Sequence, residues 1–156
     1  MKLGRKETFK VSLPDFRKLL NRDGKLTREP VSLQEGDTFP PVADPAVAYA
    51  EFRESGTTLF VFISMTCAAC MALLPVLKDW AGRGKGSAVL MMNGYPEERE
   101  EIVKHFAFPF PVMLVEEQEM RDKYRIPFTP YAYQVEASGL IVKHGEVKLF
   151  LAGGQG

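Results

Sequence analysis

The sequence predicts a single α/β domain with a central mixed β-sheet flanked by helices. Its 156 residues and 46% apolar content suit one compact core. Runs of β-branched and aromatic residues alternate with segments of helical character, a pattern typical of α/β folds. The last two runs flank Ala137-Ser138-Gly139, which predicts a hairpin and therefore antiparallel strands at the end of the chain.

Each element follows from a local signal in the sequence. Ser12-Leu13-Pro14 predicts the start of a short helix, and Ala46–Arg53 predicts a second one after several prolines. Thr57–Ser64 predicts a strand buried on both faces, because seven of its eight residues are apolar or β-branched and none is charged. The later predicted elements are a helix over Cys67–Ala81, a glycine-rich turn over Gly82–Gly86, a strand over Ser87–Met92, a helix from Pro96, a strand over Pro111–Glu116, a helix over Gln118–Tyr124, and hairpin strands over Tyr131–Val135 and Leu140–Val147.

Charge divides the chain into a basic arm and a domain. Residues 1–28 hold nine lysines and arginines against three acidic residues, a net charge of +6 in a chain of net zero. We therefore expect a basic N-terminal extension over residues 1–33, a folded domain over 34–150 and a flexible tail over 151–156. A basic arm can approach an anionic membrane surface, although a solvated extension is the simpler interpretation. Only two aromatic residues, Phe9 and Phe16, lie among these charges, too few for a surface on which bases stack, so no nucleic-acid partner is expected.

The expected compartment follows from what the sequence does not contain. No window approaches the roughly 18 uncharged apolar residues of a membrane span. The N-terminal residues do not lead into the apolar stretch of a secretory signal. We therefore expect a cytoplasmic protein. The alternative is an extracytoplasmic protein whose anchor or signal is absent from this chain.

The two cysteines of the chain form the motif Cys67-Ala68-Ala69-Cys70 directly after the buried strand. N–H groups at the start of a helix favour a thiolate, so Cys67 is predicted to be the nucleophile and Cys70 the resolving thiol. A structural bridge across so small a loop would contribute only roughly 2 kcal/mol. A zinc site would need four ligands, and the other soft ligands, His105 and His144, are expected at the surface. We therefore expect redox chemistry and no metal.

Several segments resemble the thioredoxin-fold superfamily. Gly36–Pro40 resembles the Gly-Asp-x-x-Pro segment of redoxins, and Thr66–Cys70 followed by Pro75 resembles the active-site strand, dithiol and helix. Tyr124–Tyr131 resembles the segment that ends in a cis-proline, and Ser138–Ile141 the closing hairpin. The similarity is closest to the TlpA/ResA-like branch and to the thioredoxin-like accessory protein of methylamine dehydrogenase maturation.

This resemblance implies a thioredoxin fold and further site residues. It places the cis-proline at Pro130 rather than Pro127, and it implies that Thr129 and Pro130, with Thr66 beside the dithiol, bind substrate. It implies that Pro75 kinks the active-site helix. The insertion at residues 111–122, before the cis-proline segment, suits the TlpA-like branch better than minimal thioredoxin.

The sequence also departs from the family pattern. Val61 occupies the position of thioredoxin's buried aspartate, and Leu73 the position where the TlpA-like branch often has glutamate. Thr66 replaces the tryptophan before the first cysteine. The proton acceptor for Cys70 is therefore unassigned. Residues 149–156 leave room for at most one turn of a closing helix, so one face of the sheet is expected to be thinly covered.

These features predict a thiol–disulfide oxidoreductase. Its partners would be a protein or peptide that contains a disulfide and a second redox protein that exchanges electrons with it, and no bound cofactor is expected. One alternative is a non-enzymatic adaptor or assembly factor built on the same fold. A thiol peroxidase is less well supported, because Ser64 matches the peroxiredoxin pattern but Phe60 stands where that pattern has proline.

Overall fold

A computed structural model describes residues 32–42, 56–83 and 87–152. The predicted helices near Ser12 and over Ala46–Arg53 lie outside these residues, as do most of the basic extension, the glycines of the 84–86 turn and the end of the tail. Among the described residues, no helix is long and apolar enough to cross a membrane.

The elements of the described residues are β1 Thr57–Ser64, α1 Ala68–Gly82, β2 Ser87–Asn93, α2 Pro96–Phe106, β3 Val112–Leu114, α3 Glu117–Asp122, β4 Tyr131–Glu136, β5 Ile141–Glu146 and α4 Val147–Ala152. These five strands form one mixed sheet in the order β3-β2-β1-β4-β5. β1, β2 and β3 are parallel, whereas β4 pairs antiparallel with both β1 and β5, so the predicted mixed sheet with flanking helices is confirmed.

The central strand β1 separates two hydrophobic clusters. Side chains alternate across a strand, so Val61 and Ile63 face one side of the sheet while Phe60 and Phe62 face the other. The first side, here called the aliphatic face, is covered by α1 through Leu74 and neighbouring residues. Both faces of β1 are therefore buried, as its uninterrupted apolar sequence predicts.

The other side, here called the aromatic face, is covered by the segment of residues 32–42 and by the chain around α3. Phe39 is 1% exposed and stacks on Phe60 with ring centroids 4.3 Å apart. Tyr124 packs against both Phe39 and Phe62. Backbone hydrogen bonds from Phe39 to Gly139 and from Ile141 to Asp37 hold this segment against the final hairpin.

Some boundaries differ from those expected from the sequence. The third strand is limited to Val112–Leu114, although Pro111 and Val115 still exchange single backbone hydrogen bonds with β2. Val147 begins α4 rather than ending the last strand. His144 is half-buried rather than at the surface, and its Nδ1 lies 2.7 Å from the Tyr131 hydroxyl.

The C-terminal end contains more helix than predicted. A helix of six residues replaces the single turn expected there, and Leu151 and Ala152, assigned to a flexible tail, belong to it. Val147 and Leu151 lie one helical turn apart and are 1% and 7% exposed. Both belong to the cluster on the aliphatic face, so α4 helps to cover the side of the sheet on which α1 lies.

Candidate functional site

The end of β1 and the start of β4 bring two distant segments of the chain together. Because the two strands are antiparallel, Phe62 near the end of β1 pairs with Tyr131 at the start of β4. Cys67 follows β1 after a short turn, and Thr129 and Pro130 immediately precede β4. These three residues therefore meet where β1 ends and β4 begins, at the N-terminus of α1.

Cys67 is half-buried and forms the N-cap of α1. Its Sγ accepts a hydrogen bond from the N–H of Cys70 at 3.1 Å, which satisfies one of the free donors at the helix start. Partial burial opposes ionisation, but hydrogen bonds from the side chains of Cys70 and Thr129 and from the backbone of Cys70 and Ala69 favour the thiolate. The pKa of Cys67 is therefore lowered from its usual 9.0.

Cys70 lies one turn further along α1, fully buried in the aliphatic face. The N–H of Ser64 approaches its Sγ at 3.5 Å. Burial raises the pKa of the Cys70 thiol, and its hydrogen bond to Cys67 raises the pKa further, to about 11. Both cysteines are free thiols, so the structure shows the reduced form of the pair.

Thr129 and Pro130 lie beside the sulfur of Cys67. The thiol of Cys67 donates to the carbonyl oxygen of Thr129 across 3.6 Å. The peptide bond between Thr129 and Pro130 is cis, and the bond before Pro127 is not, which is the placement that the resemblance implied. A backbone carbonyl thus borders the thiol at the point where a strand begins.

The other two predicted site residues lie further from the sulfur atoms. Thr66 is exposed next to Cys67, and its hydroxyl pairs with that of Ser64 at 3.0 Å. Pro75 is exposed within α1, five residues after Cys70. Since proline has no N–H, it cannot donate to the carbonyl of Met71 within the helix.

Among the described residues, no acidic group next to Cys70 replaces the carboxylates of the family pattern. Val61 is fully buried on the aliphatic face with Cys70, and Leu73 is 9% exposed one turn after it. The groups that shift the pKa of Cys70 are Cys67, Ser64 and Thr129 in addition to burial, and none of them is a carboxylate. In the described part of the chain, no cluster of three or more histidine, cysteine or acidic residues could hold a metal ion.

An apolar groove of about 700 Å³ opens beside Thr129 and Pro130, a feature that the sequence analysis missed. Its walls are the outer surface of α1, the loop before β4, and α4. The residues that define it are Ala69, Ala72, Val76, Phe128, Val147 and Leu151. A signal for one wall was present, because positions 69, 72, 73 and 76 repeat at helical spacing and are all apolar.

Solved structures of similar architecture are known. An uncharacterised conserved protein from Geobacillus kaustophilus superposes with a TM-score of 0.60 at 23% identity, over 72% of this chain and 68% of that one. The thioredoxin domain of a thiol-disulfide oxidoreductase from Bacteroides vulgatus gives 0.58 at 20% identity, over 72% and 89% of the two chains. A thiol:disulfide interchange protein from Bacteroides sp. gives 0.55 at 19% identity, over 73% and 82%.

The chain has a thioredoxin fold. At these identities the likeness concerns the fold, and no protein-family model matches the sequence. Among curated proteins, the methylamine utilization protein MauD of Paracoccus versutus is 28% identical over 88 residues, which are 56% of this chain. The match spans 44% of MauD, so this chain corresponds to less than half the length of that relative. The resemblance drawn from the sequence motifs is thereby confirmed.

Proposed function

We propose that this protein is a thiol–disulfide oxidoreductase that exchanges its Cys67–Cys70 dithiol with a disulfide of a protein or peptide. The observation that carries the proposal is the asymmetry of the pair. Cys67 is half-buried with a lowered pKa, whereas Cys70 is buried with a pKa raised to about 11. An accessible thiolate next to a protected thiol is the arrangement that exchange requires. The thioredoxin fold and the similarity to MauD support the same activity.

The first step is attack by the Cys67 thiolate on one sulfur of the substrate disulfide. The substrate S–S bond breaks, its other sulfur leaves as a thiolate, and a mixed disulfide forms at Cys67. Cys70 then loses its proton and attacks Cys67 Sγ, which releases the second substrate thiolate. Two electrons pass to the substrate, and the protein is left with a Cys67–Cys70 disulfide. A second redox protein must return those electrons, and no bound cofactor takes part.

Substrate docking in this mechanism relies on the backbone before β4. The carbonyl of Thr129 lies 3.6 Å from Cys67 Sγ and can accept a hydrogen bond from an extended segment. Pro130 has no backbone N–H to donate, so the backbone group that can bind the substrate at this point is the carbonyl of Thr129. Thr66, which is exposed and directly precedes Cys67, would border the same segment.

The direct test is reduction of insulin by the wild-type protein and by two serine variants. We expect Cys67→Ser to abolish activity, because the nucleophile is lost. We expect Cys70→Ser to accumulate a mixed disulfide, because the first step proceeds and the second cannot. Mass spectrometry after acid quenching detects the mixed species. Full activity of Cys67→Ser would show that the assigned mechanism is wrong.

Thiol alkylation separates this function from the alternative of a non-enzymatic adaptor. In the folded, reduced protein, iodoacetamide should label Cys67 before Cys70. It should do so at a pH below 9.0, the usual pKa of a cysteine thiol. In the unfolded protein the two cysteines should react alike. A folded protein in which neither thiol reacts with alkylating agents or small disulfides would favour the adaptor. In that case Cys70 would serve only as an apolar packing residue.

A further inference from the structure

We propose that Tyr131 and His144 are positioning residues that hold the carbonyl group of Thr129 in place beside Cys67. This inference rests on the proposed function, in which the backbone of the substrate docks at Thr129, and it adds two residues to that function. Both residues act through the loop before β4 and take no part in breaking or forming a bond to sulfur. Their effect should therefore fall chiefly on the docking of the substrate.

The side chains of Tyr131 and His144 form a hydrogen-bonded pair across two strands. His144 lies on β5 opposite Tyr133, so it is diagonal to Tyr131 on the same face of the sheet. The Tyr131 hydroxyl lies 2.7 Å from Nδ1 of His144, which is hydrogen-bond distance. Tyr131 is 4% exposed, and its ring also packs edge-on against that of Tyr133 with centroids 5.4 Å apart. The Tyr131 ring is therefore fixed at its hydroxyl end as well as at its side.

Strand pairing does not by itself fix the carbonyl of Thr129. In the described part of the sheet, the paired residues of β4 begin at Tyr131, opposite Phe62 of β1 and Glu146 of β5, and the pairing does not extend back to Thr129. Pro130, between Thr129 and Tyr131, has no N–H with which to bond to a neighbouring strand. The position of the carbonyl therefore depends on the side chains that hold this loop.

The Tyr131 ring holds the loop from both ends. Tyr131 itself follows Pro130, and Phe128 precedes Thr129. The Phe128 ring packs edge-on against the Tyr131 ring, with centroids 5.1 Å apart and ring planes at 83°. Pro130 fixes one backbone torsion of the short segment between them. Movement of the Tyr131 ring would therefore shift the Thr129 carbonyl, which lies 3.6 Å from Cys67 Sγ.

His144 reaches the site through position rather than through charge. Its partner Tyr131 belongs to the cluster on the aromatic face, whereas Cys70 belongs to the cluster on the aliphatic face. Besides burial, the groups that shift the pKa of Cys67 lie on α1 and at Thr129, and His144 is not one of them. An effect of His144 on exchange must therefore come through the position of Thr129.

The test compares two disulfides, of which only one has a backbone that can dock. One is the symmetrical disulfide dimer of a blocked peptide with alanine on both sides of its cysteine. The other is bis(2-hydroxyethyl) disulfide, which reports the reactivity of Cys67 without docking. Reduced protein is mixed with each disulfide and quenched with acid, and the second-order rate constants are determined by chromatography. We expect His144→Leu to slow reduction of the peptide about threefold to tenfold more than reduction of the small disulfide, the effect of losing one hydrogen bond.

Further variants assign the effect to the hydrogen bond. Tyr131→Phe removes only the hydroxyl, so it should lower the peptide rate as His144→Leu does, and the double variant should lower it no further. His144→Asn places a polar amide near the position of Nδ1 and should recover most of the wild-type rate. His105→Leu is the matched control, because His105 is the other histidine of the chain and is exposed on α2. It should keep the wild-type rates for both disulfides.

The outcomes separate positioning from the chemistry. Circular dichroism confirms that each variant is folded, and Tyr131→Phe, which keeps the ring, serves if His144→Leu is not. If these variants slow both disulfides equally, or slow neither, the positioning role is overturned and the proposed function stands. A folded His144→Asn variant that reduces the peptide as slowly as His144→Leu would also overturn it. If folded, reduced wild type reacts with neither disulfide, the proposed function itself fails.

Discussion

Two thiols one helical turn apart occupy opposite environments. Cys67 receives hydrogen bonds from N–H groups at the start of α1 and is open to solvent on one side, which favours its thiolate. Cys70 faces the aliphatic side of the sheet, where burial favours the neutral thiol. The position of each side chain relative to the helix start thus accounts for the division of roles.

The part of the chain that the structure describes places no acid near Cys70, and this has a kinetic consequence. Burial raises the pKa of the Cys70 thiol, so only a small fraction of it is a thiolate at pH 7. The step in which Cys70 resolves the mixed disulfide should therefore be slow at neutral pH. Because burial raises the pKa of Cys70, the rate of that step should rise about tenfold per pH unit until the pH approaches this raised pKa.

Leu73→Glu tests whether a carboxylate would speed this step. Leu73 lies three residues after Cys70, so a glutamate there is on the same side of α1 and can accept the Cys70 proton. We expect the release of substrate from a preformed mixed disulfide at pH 7 to become at least about tenfold faster, with a flatter pH dependence. Stopped-flow measurement of the released thiol reports the rate.

Leu73→Gln is the matched control for this prediction. Glutamine has nearly the same size and polarity, but it cannot take a proton at neutral pH. Its release rate should retain the steep rise with pH. Equal rates for the two variants across the pH range would show that proton transfer from Cys70 does not limit the step.

At the scale of elements, β4 carries a buried hydroxyl that joins three segments. Tyr133 is fully buried, and its hydroxyl donates toward the carbonyl oxygens of Tyr124 at 2.7 Å and Arg125 at 3.2 Å. The same oxygen accepts from the N–H of Leu33, 100 residues away, at 3.2 Å. Burial raises the pKa of Tyr133, so the hydroxyl keeps the proton that it donates.

Tyr133→Phe should therefore lower the free energy of unfolding by about 1–3 kcal/mol, since buried backbone groups lose their partner. Urea unfolding measures the change. Tyr131→Phe is the comparison, because it also removes only a hydroxyl, but one that is bonded to the half-buried His144. If Tyr133→Phe lowers the free energy of unfolding no more than Tyr131→Phe does, the hydrogen bonds of the Tyr133 hydroxyl do not have the stabilising role assigned to them.

The elements with strong local signals were predictable, and those set by distant contacts were not. The apolar run of β1 and the break before Cys67 indicated a buried strand followed by a helix, and both are present. Val147–Ala152 is too short to show helical periodicity, and Val147 has a β-branched side chain that favours a strand. Its helix depends on burial of Val147 and Leu151 against the sheet, which is tertiary packing.

In the site, too, features with a local sequence signal were predictable and features set by distant contacts were not. The spacing of Cys67 and Cys70 and their place at a helix start indicated which sulfur would be exposed. The position of Pro130 came from resemblance alone, because nothing in the local sequence distinguishes it from Pro127. The groove was missed because its walls come from three separate elements. The contact between Tyr133 and Leu33 has no local signal at all.

At the scale of the molecule, the sheet separates sulfur chemistry from aromatic packing. The dithiol lies on the aliphatic face, and Phe39 anchors the segment of residues 32–42 to the aromatic face. Phe39 contacts the rings of Phe60 and Tyr124 and is almost completely buried. This segment is therefore part of the core rather than an appendage to it.

Phe39→Ala should consequently lower the free energy of unfolding by about 3–5 kcal/mol, the typical cost of emptying a buried aromatic site. Such a loss is a large part of the roughly 5–15 kcal/mol that stabilises a domain. Leu149→Ala, at a position that is 53% exposed, should change it by less than about 0.5 kcal/mol. Similar effects of the two substitutions in urea unfolding would show that the aromatic face tolerates the loss of Phe39.

The single tryptophan of the chain supplies an optical probe for these experiments. Trp80 is 6% exposed near the end of α1, ten residues after Cys70, which corresponds to about 15 Å along the helix. Its fluorescence should shift to longer wavelength when the domain unfolds and water reaches the indole. At that distance it does not touch either sulfur atom. A difference in emission between the reduced and oxidised protein would therefore report movement of the whole helix rather than a change at the dithiol.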